Sequence, residues 1–306
     1  MRVFIVGGTG FLGSHLVPRL IQKNHHVTVL TRDKTRIPTL KQVGAAGIVG
    51  DILDPDSFVS HLVAPDFIIN IAMPPVRPGR ISKRRFIRLR GETTLYISHT
   101  IQLAEKIGCP YILTLGTSFH SDTGRVFTEA DPIQRFGMTK IGEQVDELID
   151  KALGNDPPRC IVFMPGQIYG PGGLFLMMYE WMKKGRFRIA GKGDNIIPRI
   201  HVEDLADAYV KAVEKRPCGE RFILADDTPC TMREFTEYMA ECMQIPTPKS
   251  IPRQLMRIII GRLLVETITM NCRVSNAKAK RVLEWQPEYP SYRDGLKRTM
   301  GELRDS

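Results

Sequence analysis

The segment Gly7-Gly8-Thr9-Gly10-Phe11-Leu12-Gly13 directly follows the apolar run Val3-Phe4-Ile5-Val6, so a glycine-rich turn joins a buried strand to a helix N-terminus. The unpaired N–H groups at such a helix end attract phosphate oxygens, and a dinucleotide pyrophosphate is the ligand that this strand, turn and helix take together. Gly7 supplies backbone angles closed to other residues, Gly10 leaves room for phosphate oxygens, and Gly13 lets the helix pack closely on its strand. At the end of the second strand, Thr31-Arg32-Asp33-Lys34 places two cations, Arg32 and Lys34, where a ribose 2′-phosphate lies. A carboxylate there would instead grip the free hydroxyls of NAD. NADP is therefore expected over NAD, with a solvated loop as the alternative and Asp33 weakening the signal.

The elements that hold these residues are short β-branched runs between helical stretches. They are Val27-Thr28-Val29-Leu30, Gly47-Ile48-Val49, Phe67-Ile68-Ile69-Asn70-Ile71, Tyr111-Ile112-Leu113-Thr114-Leu115 and Cys160-Ile161-Val162-Phe163. Such a pattern predicts a parallel sheet with helices on both faces. Ile141, Val145, Leu148, Ile149 and Ala152 fall at helical spacing, while Pro18 interrupts the first predicted helix. With 306 residues, 42% of them hydrophobic, the chain can bury a large core. Its six cysteines form no Cys-x-x-Cys pair, and the first strand starts at residue 2, so a reduced, cytoplasmic protein without a signal peptide is expected. A net charge of +10 suits an anionic ligand, an acidic partner, nucleic acid or an anionic membrane, and does not choose among them.

Further features recur in a fixed order: Gly50-Asp51, Asn70-Ile71-Ala72, Gly116-Thr117-Ser118, Pro165-Gly166-Gln167-Ile168-Tyr169-Gly170-Pro171, His201-Val202-Glu203-Asp204, Ser275-Asn276-Ala277-Lys278 and Leu283-Glu284-Trp285-Gln286-Pro287. With the glycine turn, they resemble the extended short-chain dehydrogenase/reductase family, also called the NAD-dependent epimerase/dehydratase family, over nearly the whole chain. The resemblance implies an α/β fold: a Rossmann-type doubly wound parallel sheet with a smaller C-terminal substrate lobe. Residues 1–168 would form the dinucleotide-binding domain, 197–215 would return to it, and 169–306 would be mainly the substrate lobe. The resemblance also implies a cofactor groove lined by Thr9, Gly10, Phe11, Leu12, Ile52, Asn70, Ile71, Ala72, Lys140, Pro165, Gly166 and Ile168, with Asp51 on the adenine. Asp51 as a turn residue and Asn70 as a strand-end cap are the structural alternatives.

Most members carry Tyr-x-x-x-Lys, whose phenol exchanges a proton with the substrate oxygen while the lysine lowers the phenol pKa and binds the nicotinamide ribose. This chain reads Phe136-Gly137-Met138-Thr139-Lys140: the lysine stays and the acid is gone. Loss of a positioned acid typically removes about 100- to 10,000-fold in rate. What remains for chemistry is Ser118, which resembles the hydroxyl that polarises a substrate carbonyl, with Thr117, Lys140, Tyr169 and His120. Capping is the alternative for Ser118, packing for Tyr169 and a surface position for His120. Ile197 stands where sugar-nucleotide enzymes carry a diphosphate-binding arginine, and Arg199 nearby would point to the opposite face of a strand.

Seven cations and no acid lie between Arg77 and Arg90, with Phe86 the lone aromatic available to stack on a base, which argues against nucleic acid. Leu255 to Val265 is apolar with spaced arginines and reads as a lid over an apolar substrate, a membrane-surface helix or plain core, the membrane reading not being favoured. The reading that fits best is an NADP-dependent oxidoreductase that transfers hydride to a small carbonyl or conjugated enone without the usual tyrosine. A non-catalytic NADP-binding sensor or accessory subunit is the alternative, and a sugar-nucleotide epimerase or dehydratase comes third. A small-molecule substrate is the expected partner, and a helix-paired homodimer is common in the family.

Overall fold

The computed structural model describes residues 1–74, 79–121 and 123–305; Arg77 of the basic stretch lies outside them. Seven parallel strands form the central sheet: β1 (Arg2–Val6), β2 (His26–Thr31), β3 (Ala46–Val49), β4 (Phe67–Asn70), β5 (Tyr111–Thr114), β6 (Cys160–Pro165) and β7 (Glu220–Leu224). Their spatial order is β7-β6-β5-β4-β1-β2-β3. Strand order reverses between β1 and β4, which opens a crevice beyond the carboxyl ends of these two strands. Helices cover both faces, so β4 and β6 are buried along their whole length and read as unbroken apolar runs.

Helix α1 (Phe11–Gln22) follows β1 and contains Pro18 without interruption. The N–H that proline lacks would have met the carbonyl of Ser14, an exposed residue whose carbonyl water can reach. Leu16, Val17 and Leu20 of α1 join one core cluster with Ile200, Leu205 and Tyr209. Helix α2 (Lys83–Ile107) crosses the other face, capped by Ser82 and ended by Gly108 in the left-handed conformation. Residues 197–215 pack on the sheet through Ile200, Val202 and helix α3 (Val202–Lys215).

Two arrangements differ from the sequence expectation. The 169–306 stretch is interleaved with the first domain: it supplies β7, and Ala279, Leu283 and Trp285 join the same core cluster as α1 and α3. Strand β7 carries little sequence signal because it opens on Glu220 and Arg221, which break the apolar run. The second difference lies after Phe136, where Gly137–Val145 is a 3₁₀ helix that becomes α-helical only over Asp146–Leu153. Three residues per turn instead of 3.6 rotate the later positions. Ile141, Val145, Ile149 and Ala152 remain buried, but Leu148 turns outward at 38% exposure. The smaller lobe has its own core of Tyr169, Phe175, Phe235, Met239 and Leu296. No helix among the described residues is long and apolar enough to cross a membrane.

Trp285 is fully buried and donates its indole N–H to the carbonyl of Asp204 at 3.0 Å, tying the C-terminal part to α3. Trp285→Ala should cost about 3–5 kcal/mol, read as a lower urea midpoint with one cooperative transition.

Candidate active site

The crevice at the β1/β4 reversal encloses a cavity of ≈ 210 Å³ lined by Gly7, Thr9, Gly10, Arg32, Asp51, Ile52, Ile71 and Ala72, among others. Gly7 has φ +92°, and a Cβ there would stand 2.7 Å from the Ala72 nitrogen, so only glycine lets the turn close on the loop after β4. A Cβ on Gly13 would stand 2.6 Å from Gly8 Cα. The close packing at Gly13 is thus between helix and turn, not between helix and strand as expected. Helix α1 has Gly10 as its N-cap, no side-chain cap bond and no acid in its first turn. Its leading N–H groups are accordingly left for an anion. The Leu12 side chain belongs to the core, and the Phe11 ring packs so closely on Gly172 that a Cβ there would collide with it, so these two residues offer the crevice backbone only.

Asn70 does not face the crevice. Its amide donates to the Tyr96 carbonyl at 3.1 Å and to Thr100 Oγ1 at 2.7 Å, while its Oδ1 accepts the Ala72 N–H at 2.9 Å. This is the strand-end cap, and it fixes the backbone that meets Gly7. Tyr96, on α2, also lines the cavity. Neither Tyr96 nor Thr100 carries a signal in the sequence, because each arrives through packing of a helix far along the chain.

Across the crevice, Arg32 Nη1 lies 3.8 Å from Asp51 Oδ2, with both side chains partly exposed. Asp51 Oδ1 accepts the Leu53 N–H at 3.0 Å, so the carboxylate also orders its own turn. Asp33 turns away to cap the 3₁₀ turn Lys34–Arg36 through Thr35 N and Oγ1, bonds that hold its carboxyl below the usual carboxylate range. That leaves Arg32 as the cation at the cavity wall. Lys34 is exposed and is not among the lining residues.

At the other end of the groove, Thr117 Oγ1 donates to the Pro165 carbonyl at 2.6 Å and its N–H donates to the same oxygen at 3.0 Å. The Thr117 hydroxyl therefore ties two strand ends together rather than offering a proton to substrate. Ser118 is buried; its Oγ donates to the Gln134 carbonyl and lies 2.7 Å from Thr139 Oγ1. Thr139 in turn donates to the Phe136 carbonyl at 2.8 Å and accepts the Phe136 N–H at 3.0 Å. Each hydroxyl thus spends its single proton on a carbonyl, and Thr139, in contact with Ser118, braces the turn that carries Phe136. Thr139 was missed because a threonine between two motif positions looks like filler.

Phe136 lies outside the helix in an extended conformation, its ring edge-on to that of His120 at 5.6 Å between centroids. His120 is exposed and its Nδ1 accepts the Asn271 N–H at 3.3 Å, which puts the proton of the neutral ring on Nε2. Lys140 is half-buried in the 3₁₀ segment, and its ammonium has no ion pair among the described residues. Gly166 approaches the Pro198 carbonyl so closely that a Cβ would stand 2.6 Å from it, and Ile168 packs against the main core.

Tyr169, a catalytic candidate in the sequence, is instead a packing residue. It lies in the buried cluster of the smaller lobe, and its hydroxyl donates to Asp226 Oδ2 at 2.9 Å. Burial raises the pKa of both partners well above their ordinary values. Arg199 is buried over the Phe235 ring at 3.6 Å and donates to Gln167 Oε1 at 2.5 Å, so it cannot replace the diphosphate-binding arginine. Burial also pushes His201 down to about 3, making it a neutral core residue.

A family model for the NAD dependent epimerase/dehydratase family matches residues 3–225. A "3-diazoavenalumate denitrifying reductase" from Streptomyces is 26% identical over 97% of this chain and 100% of its own length. Among solved structures, human epimerase family protein SDR39U1 with NADPH superposes with a TM-score of 0.82 at 22% identity, covering 99% of this chain and 100% of that one. A UDP-glucose 4-epimerase from Thermotoga maritima with UDP-glucose gives 0.81 at 20% identity, covering 100% and 99%.

Asn70→Ala removes the brace on Ala72 and leaves buried groups unpaired. It should lower stability by about 1–3 kcal/mol and weaken binding of ADP-ribose, measured by denaturant titration and calorimetry respectively.

Proposed function

Because this chain belongs to the NAD-dependent epimerase/dehydratase family, we propose that it is an NADP-dependent oxidoreductase that delivers hydride to a small carbonyl or conjugated enone. The observation that carries this reading is Phe136 at the position four before Lys140, a benzene ring with no transferable proton where the family carries a phenol, with the lysine retained. The uncapped N-terminus of α1 and the close approach of Gly7 to Ala72 fit a pyrophosphate, and Arg32 fits a 2′-phosphate, for which it would exchange Asp51. Exposed Lys34 adds only long-range attraction. Free cysteines throughout suit a reducing compartment such as the cytoplasm.

The bound nicotinamide would supply the hydride. Lys140 would hold its ribose hydroxyls, and the Lys140 charge would favour negative charge developing on the acceptor oxygen. Ser118 would turn its hydroxyl from the Gln134 carbonyl to that oxygen, while Thr139 keeps the turn in place. Thr117 stays on Pro165 as a positioning residue. Phe136 walls the pocket. An enone suits this site because hydride addition at carbon leaves an enolate, which oxygen donors stabilise and which water can protonate beside His120.

A second reading, a nucleotide-binding protein without turnover, draws on the same ring and on the commitment of both hydroxyls to carbonyl oxygens. Loss of nicotinamide absorbance separates the two. With NADPH, enones should be consumed, and simple ketones about 100-fold more slowly or worse. Phe136→Tyr should raise ketone reduction by at least about 100-fold. No turnover by either protein, with NADPH still bound, would leave the sensor reading.

A further inference from the structure

The first helix after the smaller lobe's short parallel pair, α4 (Arg253–Ile260), turns its apolar side chains the wrong way for a lid. Leu255, Ile258 and Ile259 are 46%, 68% and 55% exposed, while Met256 is buried inward. The spacing i, i+3, i+4 gathers the three exposed residues on one helical face. This outward face differs from a lid over an apolar substrate, whereas Leu263 and Leu264 further along pack as core against Leu89, Met138 and Ile141.

The C-terminal end of this helix adjoins the basic start of α2. A Cβ on Gly261 would stand 3.5 Å from Arg80 Cα, and Arg80, Ile81, Ile260, Arg262 and Leu263 border one shared recess. Beyond it, Lys83, Arg84 and Ile87 are exposed. Arg88, Arg90 and Arg262 are paired with Glu92, Glu143 and Glu266. Arg80, Lys83, Arg84, Arg85 and Arg257 have no acidic partner among the described residues. Exposed aliphatics thus lie on a helix whose end meets a group of cations without acidic partners, although Arg253 at its start pairs with Asp194.

We propose that this face docks on an anionic lipid surface, with Leu255, Ile258 and Ile259 entering the acyl boundary and the flanking cations on headgroup phosphates. A short amphipathic helix with aliphatics on one face and arginines beside them is the element that lies in a bilayer interface. Clustered cations add attraction to the negative surface potential. Eight residues rise about 12 Å, too little to span a bilayer and enough to lie along it. The helix that follows, Arg262–Ile268, links this region to the site: its Thr267 accepts the Met138 N–H at 2.8 Å, two residues from Phe136. Docking would bring the hydride-transfer end of the groove close to apolar molecules dissolved in the membrane.

Cosedimentation of the full chain with vesicles tests this independently of the reaction. Vesicles of phosphatidylcholine mixed with phosphatidylglycerol should bind at least about tenfold more protein than phosphatidylcholine alone, and added salt should weaken the binding. The double variants Ile258→Ser/Ile259→Ser and Arg84→Ala/Arg85→Ala should each cut binding about tenfold with unchanged NADPH affinity and melting temperature. No binding to either vesicle, equal binding to both, or full binding by both variants would overturn the proposal. So would a stable dimer in solution that the isoleucine variant dissolves, since a second copy would then cover this face.

Discussion

The approach of the Gly7 backbone to Ala72 is the constraint from which the rest of the architecture follows. A side chain on Gly7 would collide with the Ala72 nitrogen, and the Ala72 N–H is held in place by Asn70, itself anchored to Tyr96 and Thr100 on α2. Strand β1, its turn, strand β4 and helix α2 are thereby locked around one point. The uncapped start of α1 is left open there, and packing of α1 against α3 holds it in place. An anion-binding helix end on a rigid support binds without the cost of ordering a loop.

The same rigidity explains why few hydroxyls at the far end of the groove are free. Thr117 on Pro165 joins the ends of β5 and β6, and Ser118 with Thr139 braces the turn before the 3₁₀ segment. These groups hold backbone first, and any catalytic use of Ser118 requires it to exchange one carbonyl partner for another. Tyr169 and Asp226 form a buried pair in which the phenol donates to the carboxyl group. That arrangement joins the smaller lobe to the sheet and keeps the phenol away from acid/base work.

Most of the sheet was legible because buried parallel strands such as β4 and β6 are continuous apolar runs, and the β-branched residues of β2 and β3 mark even these less buried strands. Strand β7 begins with two charged residues at the sheet edge, and nothing local marks it as part of the first domain. The crevice residues Gly7, Thr9, Gly10, Arg32, Asp51, Ile52, Ile71 and Ala72 were legible from turn chemistry and motif order. Asn70, Tyr96 and Thr139 act by bracing backbone, and Lys34 sits off the wall because Asp33 caps a turn that lifts it outward. The outward face of Leu255, Ile258 and Ile259 depends on which side of a short helix meets the core, and periodicity alone leaves that open.

A dinucleotide held between the α1 N-terminus and Arg32 is the premise of the proposed chemistry, and calorimetric titration with NADPH and with NADH is its sharpest test. One equivalent of NADPH should bind, about tenfold or more tightly than NADH, a preference of roughly 1.4 kcal/mol that Arg32→Ala should abolish. Absence of binding by both nucleotides, or a preference for NADH that survives Arg32→Ala, would contradict it.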